Sequence, residues 1–154
     1  MRIRIANLED TPQLMELFDG SLRNMAALQP WQWRVVPQEA NFVQAAILEP
    51  NGMLYVWEED GRLLGLVSLF WREWEESAIR VPCRYVDLDT LYVRPEARGR
   101  GIGTALYQAA CQWAKAQGAD RMELMTLGEN RNARAFYGKM GMQEQQVILT
   151  TFLK

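Results

Sequence analysis

Histidine is absent from the 154 residues. That excludes Ser-His and Cys-His nucleophile pairs and the zinc sites that need imidazole ligands. Acid or base chemistry is left to carboxylates, Tyr, Lys, Cys or water. Cysteine is scarce: Cys83 and Cys111 lie far apart and form no metal spacing. A reduced pair in a cytoplasmic protein without a metal site is the expectation. No basic run occurs and the formal net charge is −2, which argues against a nucleic-acid partner. No stretch approaches the roughly eighteen apolar residues of a membrane span, so no membrane partner is expected. The opening Met1-Arg2-Ile3-Arg4-Ile5 alternates apolar and basic residues, where a signal peptide would show a continuous apolar run.

What is present suits one ordinary domain over residues 1–154. The composition is 49% hydrophobic, and a chain this long buries roughly 70% of its unfolded surface. Residues 1–6 alternate like a strand. Thr11-Pro12 reads as a helix N-cap followed by Pro at the first helical position, with Leu14, Leu17, Phe18, Leu22 and Met25 at helical spacing. Residues 39–48 form a second helix, stopped by Pro50-Asn51-Gly52. Residues 53–57 and 63–71 around Asp60-Gly61 read as a β-hairpin. Residues 73–82 are polar and read as a long connection, and 84–93 as another strand. A helix with Ile102, Leu106, Ala109 and Trp113 on one face follows, ended by Gly118. Residues 122–127 form a short strand, 130–140 a helix and 147–153 a last strand. The order is β-α-α-β-β-β-α-β-α-β, without repeat or linker, which makes one α/β domain.

Between the fourth strand and the third helix stands Arg98-Gly99-Arg100-Gly101-Ile102-Gly103. The first N–H groups of a helix lack intrahelical partners and carry the positive end of its dipole, so this is an anion-binding layout. Glycines let the backbone approach phosphate oxygens closely, and Arg98 and Arg100 add formal charge. A Walker A loop would end Gly-Lys-Ser/Thr, where this chain has Gly103-Thr104-Ala105. A dinucleotide fingerprint would need a third glycine at Thr104 or Leu106. The form that fits is Arg/Gln-x-x-Gly-x-Gly/Ala, on Arg98, Gly101 and Gly103.

Here the sequence resembles the GCN5-related N-acetyltransferase family. Leu91-Tyr92-Val93-Arg94-Pro95-Glu96-Ala97 running into that loop is similar to the family's acetyl-CoA motif. Asn130-x-x-Ala133-x-x-Phe136-Tyr137-x-x-Met140-Gly141-Met142 is similar to the motif that follows it. The likeness is close over residues 85–142; the first half agrees in element order only. It implies a mixed, mostly antiparallel central sheet flanked by helices on both faces. It implies acetyl-CoA as co-substrate, with pantetheine lying in a gap between two central strands. Backbone groups of Leu91 and Val93 would pair with pantetheine beside Tyr92, and the N–H of Val93 or its neighbour would face the thioester oxygen. Residues Gly99 to Thr104 would hold the diphosphate, with Asn130, Ala133 and Phe136 near the coenzyme.

By periodicity alone Tyr137 is an inward aromatic paired with Phe136. The resemblance implies a general acid, because the leaving thiolate needs a proton that a phenol of pKa about 10 can donate. Asn130 is a helix cap by type and place. The acceptor amine must first lose a proton. At a pKa of about 10.4 it is neutral in about 1 part in 2,500 at pH 7, a cost of roughly 4.6 kcal/mol. Asp87 and Asp89 precede the motif and share a face with Leu91 and Val93 unless a bulge intervenes. They are either the base or solvated edge acids; Glu123 and Glu129 are weaker candidates. In similar proteins the first two helices, their loop and the hairpin connection form the acceptor site. Here that directs attention to Trp31, Trp33, Trp71 and Trp74, with Glu73, Glu75 and Glu76. Aromatic faces with carboxylates suit a small cationic amine; core or interface packing is the alternative, and a homodimer is compatible with so many tryptophans. The expected activity is N-acetyl transfer from acetyl-CoA to a small-molecule primary amine, by direct attack in a ternary complex. The alternatives are transfer to a protein or peptide amine and a non-catalytic acyl-CoA-binding module.

Overall fold

The computed structural model describes residues 2–154. Its elements are β1 (Ile3–Ile5), α1 (Thr11–Leu28), α2 (Ala40–Ile47), β2 (Gly52–Glu59), β3 (Arg62–Trp74), β4 (Cys83–Val93), α3 (Ile102–Ala116), β5 (Arg121–Glu123) and α4 (Arg131–Lys139). The strands form one sheet in chain order. β1 to β4 are antiparallel neighbours, and β5 joins β4 in parallel.

Alternation along the strands sorts the apolar side chains into two cores. On one face Leu54, Val56, Leu63 and Leu66 meet Leu14 and Leu17 of α1 and Val43 of α2. On the other, Val67, Leu69, Val86 and Leu88 meet Ile102, Leu106 and Ala110 of α3, and Phe136, Tyr137 and Met140 of the α4 segment lean on that cluster. Helices therefore cover both faces, as the resemblance implied, and burial of these side chains is the main force holding the layers together.

Local chemistry explains the joints. Asp60 and Gly61 have φ of +50° and +78°, and Glu59 pairs with Arg62 across them. This is a two-residue hairpin turn with both central residues left-handed, the form Asp-Gly favours. Thr11 is the first residue of α1 and not its cap. The helix is entered through a 3-10 turn, Leu8–Asp10, capped by the Asn7 side chain. The Asp10 carboxylate accepts from the Asn7 N–H and from two Arg4 nitrogens, each at 2.8 Å, and Arg4 holds its pKa below the usual carboxylate range. Farther along α1, Gly20 admits Tyr92: a Cβ at Gly20 would lie 2.3 Å from the Tyr92 hydroxyl oxygen.

Three boundaries differ from expectation. β3 extends to Trp74 and β4 begins at Cys83, with a Ser77–Arg80 bridge between them, so the polar connection is largely hairpin. β5 stops at Glu123 instead of continuing to residue 127. Residues 147–153, expected as a last strand, adopt no regular secondary structure; no backbone hydrogen bond among the described residues involves 143–154. β propensity needs a neighbouring ladder to become a strand, and this segment has none among the described residues.

Candidate active site

β4 pairs with β3 along its length but with β5 only over Tyr85–Asp87. Beyond Asp87 no strand pairs with its outer edge among the described residues, and this unpaired edge, on the side where β5 ends at Glu123, is the wedge of the site. A bulge sits at its mouth. Leu69 pairs with Leu88 and Ser68 with Thr90, so Asp89 is the extra residue. Before the bulge, even-numbered residues aim their backbone outward: Arg84 accepts from the Asp120 N–H at 2.7 Å and donates to the Asp120 carboxylate at 2.9 Å. After it the phase is reversed. The Arg94 N–H turns back to the Leu64 carbonyl at 2.8 Å, so the N–H and C=O of Leu91 and Val93 point into the wedge. That is the orientation required for pantetheine to pair as a false strand. The Val93 carbonyl is met there by Arg98 Nε at 3.0 Å.

The bulge also changes which side chains share a face. Leu91 and Val93 pack on the α3 cluster with Val86 and Leu88. Asp87 pairs with Phe70 on the opposite face, and Asp89 lines a pocket there. The alternation that would have put both aspartates with Leu91 and Val93 is broken by the one inserted residue.

In the loop before α3, Gly99 and Gly101 have φ of +76° and +82°, a region that L side chains enter at a cost of roughly 1–2 kcal/mol. Every N–H from Gly99 to Thr104 lacks a protein acceptor among the described residues. Those donors and the helix dipole fit a diphosphate. The two arginines are already engaged. Arg98 lies over the Tyr92 ring at 5.5 Å, and Arg100 donates to Glu59 at 2.6 Å. The hydrogen bond from Arg100, then that from the Trp57 indole, draws the Glu59 pKa down to about 2. The free donors of the loop are therefore backbone. Behind it, a Cβ at Gly65 would lie 2.9 Å from the Tyr92 carbonyl and 3.1 Å from Leu106 Cδ1, so this glycine lets α3 approach the sheet.

Asn130 caps α4, its Oδ1 accepting from the Ala133 N–H at 3.1 Å. The cap orients Phe136 and Tyr137 toward Tyr107 of α3, with ring centroids 6.3 and 6.2 Å away. Burial, then the neighbouring Tyr107, pushes the Tyr137 pKa up to about 12, so its hydroxyl keeps its proton at neutral pH. The inward aromatic and the proton donor are thus compatible descriptions of one side chain.

Across the sheet, α1, α2, β3 and β4 enclose a pocket of about 180 Å³. Its walls include Phe18, Phe42 and Phe70, with buried Ser68 and the carboxylates of Glu49 and Asp89. Phe18 and Phe42 meet edge to face at 5.9 Å. Burial, then the charge of Asp89, raises the pKa of Asp87 against the opposing pull of Arg72. Thr90 donates to Asp89 at 3.1 Å. Glu123 faces the same charges and accepts from Gln145 at 2.6 Å. Glu129 accepts from buried Gln29 at 2.8 Å, which lowers its pKa and ties the end of α1 to the loop before α4.

The tryptophans do not form one surface. Trp71 pairs with Val86 and leans on the α3 cluster, while its indole donates to Glu73 at 2.7 Å. Strand alternation turns Phe70, not Trp71, toward α1 and α2. Trp31 stacks edge to face on Phe152 at 4.9 Å. The Trp33 indole N–H is buried without a partner among the described residues. Sequence reasoning missed Phe42, Phe70 and Ser68 as pocket walls; Phe18, placed by helical spacing on the buried face of α1, belongs both to that core and to the pocket wall. Helical and strand spacing says which face a side chain occupies, but not whether that face is filled or hollow.

The chain matches the family model described as acetyltransferase (GNAT) family over residues 12–142. Aminoalkylphosphonate N-acetyltransferase of Salmonella typhimurium is 26% identical over 151 residues, 98% of this chain and 90% of that protein. The N-acetyltransferase MJ1207 of Methanocaldococcus jannaschii is 40% identical over 62 residues, and the match spans 40% of this chain and 27% of that protein. A mutant of the BH1408 protein of Bacillus halodurans superposes with a TM-score of 0.96 at 22% identity, over 100% of both chains, a likeness of fold. Among the described residues, no three His, Cys, Asp or Glu cluster to hold a metal, and no helix is long and apolar enough to cross a membrane.

Proposed function

This chain belongs to the acetyltransferase (GNAT) family and is an acetyl-CoA-dependent acyltransferase; from that premise we propose that it acetylates the primary amine of a small molecule with a compact apolar part. The observation that carries this is the pocket beside the β4 bulge. Three phenylalanines supply apolar and π surface, Asp89 and Glu49 supply negative charge, and no basic residue lines it. That combination suits an ammonium group attached to a phenyl-sized or branched alkyl group. The Salmonella relative, named for an aminoalkylphosphonate, is consistent with a small amine.

Residues 1–154 act as one cytoplasmic catalytic domain in this proposal. Acetyl-CoA supplies an acetyl group activated as a thioester. The N–H groups from Gly99 to Thr104 hold the diphosphate, and Leu91 and Val93 hold pantetheine along the free edge of β4. The Val93 N–H faces the thioester oxygen and stabilises the charge that develops there. Asp87 or Asp89, directly or through water, takes the amine proton. The neutral amine nitrogen bonds to the acetyl carbon, the carbon–sulfur bond breaks, and the Tyr137 hydroxyl protonates the departing sulfur; the second proton of the attacking nitrogen is lost to water, which also returns a proton to Tyr137, so one proton is released per turnover. Direct attack is favoured because no histidine can activate a protein nucleophile, and Cys83 is buried.

A thiol-release assay over arylalkylamines, branched alkylamines, polyamines, amino acids and peptides tests the proposal. Turnover should concentrate on amines with a compact apolar group. Activity confined to peptide N-termini would overturn the small-amine proposal. Calorimetric binding of acetyl-CoA without release to any amine would replace catalysis with an acyl-CoA-binding role.

A further inference from the structure

Glu59 carries more donors than one of its oxygens can seat. It ends β2 and pairs with Arg62 across the Asp60-Gly61 turn. Three side chains converge on its Oε1: the Trp57 indole at 3.0 Å, Arg100 at 2.6 Å, and Arg2. A carboxylate oxygen offers two lone-pair sites, so Oε1 has one donor in excess. Oε2 meets none among the described residues.

The three donors are not equally free to leave. Trp57 lies two residues back on the same strand. The Arg2 carbonyl accepts from the Glu58 N–H at 2.8 Å, so Arg2 is also fastened to the sheet. Arg100 stands between the left-handed Gly99 and Gly101, on the loop whose N–H groups have no protein acceptor among the described residues. Its side chain is 47% exposed. When Arg100 leaves, Glu59 keeps two donors, so its charge is not stranded. A phosphate is the better partner. A guanidinium can meet it with two parallel N–H bonds, where Glu59 offers a share of one oxygen.

We propose that Glu59 holds Arg100 in reserve and competes for it with a phosphate of the coenzyme, so that acetyl-CoA binds by displacing a carboxylate from the loop's own arginine. The proposal rests on reading Gly99 to Thr104 as the coenzyme cradle. Glu59 is then a positioning residue, which sets coenzyme affinity without touching the coenzyme. Apparent affinity is reduced by the fraction of molecules in which Arg100 is free, so removing the competitor tightens binding.

Calorimetric titration of acetyl-CoA into the wild type, Glu59→Gln, Arg100→Gln and the double variant tests it. Gln at position 59 keeps an acceptor for Trp57 and Arg2 but no charge to hold Arg100. Glu59→Gln should bind about threefold tighter, and the same change made in Arg100→Gln should have no effect. Arg2→Gln leaves Glu59 one donor fewer and a firmer hold on Arg100. It should bind about twofold weaker, again only while Arg100 is present, and it carries the test alone if Glu59→Gln does not fold. Acetyl-3′-dephospho-CoA identifies the phosphate: tightening that persists with it assigns the diphosphate, and tightening lost with it assigns the 3′-phosphate. Unchanged or weaker binding by folded Glu59→Gln overturns the proposal. Tightening that survives the loss of Arg100 also overturns it, because the carboxylate then acts only through its field. Gly101→Val separates this proposal from the cradle beneath it. If that variant loses affinity while Glu59→Gln changes nothing, the reserve fails alone; if it binds as the wild type does, the cradle fails with it.

Discussion

The two sides of the cleft are made differently. On the proposed donor side the free groups are backbone: the N–H groups from Gly99 to Thr104 and the outward-facing edge of Leu91 and Val93. On the proposed acceptor side the lining is side chains: Phe18, Phe42, Phe70 and the Asp89 carboxylate of β4. A backbone cradle requires particular conformations, so it constrains sequence tightly, with glycines at Gly99 and Gly101 and a helix immediately after. A side-chain pocket requires only volume and charge, which many sequences supply. This is why the coenzyme can be read from a motif and the acceptor cannot.

Tyr137→Phe is the strongest challenge to that division, because the proposed proton donor Tyr137 belongs to the donor side yet would act by its side chain. Turnover should fall by about 10²–10⁴, with acetyl-CoA affinity within about twofold, as measured by thiol release and calorimetry. Undiminished release would mean that water protonates the thiolate and that Tyr137 only packs against Tyr107. Next in size is Gly20→Ala. The added methyl would meet the Tyr92 hydroxyl, and such overpacking costs roughly 1–3 kcal/mol. Thermal unfolding should show the loss. No change would mean that the Tyr92 ring can yield without disturbing β4.

The pH dependence of Asp87 sharpens the acceptor side. Burial raises its pKa in the fold, so it becomes a base only as pH rises through a value above the ordinary carboxylate range. The rate of the wild type should climb through that region, and Asp87→Asn should flatten the climb. The sign for stability is opposite. A raised folded pKa means that the proton favours the native state. That contribution is complete below the unfolded pKa of about 3.9 and is lost as pH rises through the folded value. Asp87→Asn should abolish this decline in unfolding scans. An unchanged rate profile would transfer the base to Asp89 or to water.

Much of the fold was legible because its signals are local. Asp60-Gly61 specified a hairpin turn, Gly118 a helix end and Asn130 a cap, and each is realised. The features that were not legible depend on partners distant in sequence. Asp89 becomes a bulge only because β3 and β4 must match register around it. Trp71 turns away from α1 because Val86 lies opposite it. Residues 147–153 have the composition of a strand but pair with no strand among the described residues. Phe18 has core spacing in any helix, and only the placement of α2 makes it a pocket wall.

Calorimetric titration of acetyl-CoA into Gly101→Val and Phe42→Ala, side by side, tests the division of the cleft most directly. Gly101 holds a φ of +82° that valine resists, while Phe42 is 55% exposed on the acceptor side. Gly101→Val should weaken acetyl-CoA by about tenfold or more, the equivalent of about 1.4 kcal/mol, and Phe42→Ala should leave it within about twofold. Equal weakening in both variants, or none in Gly101→Val, would contradict a donor site made of backbone and separate from the acceptor pocket.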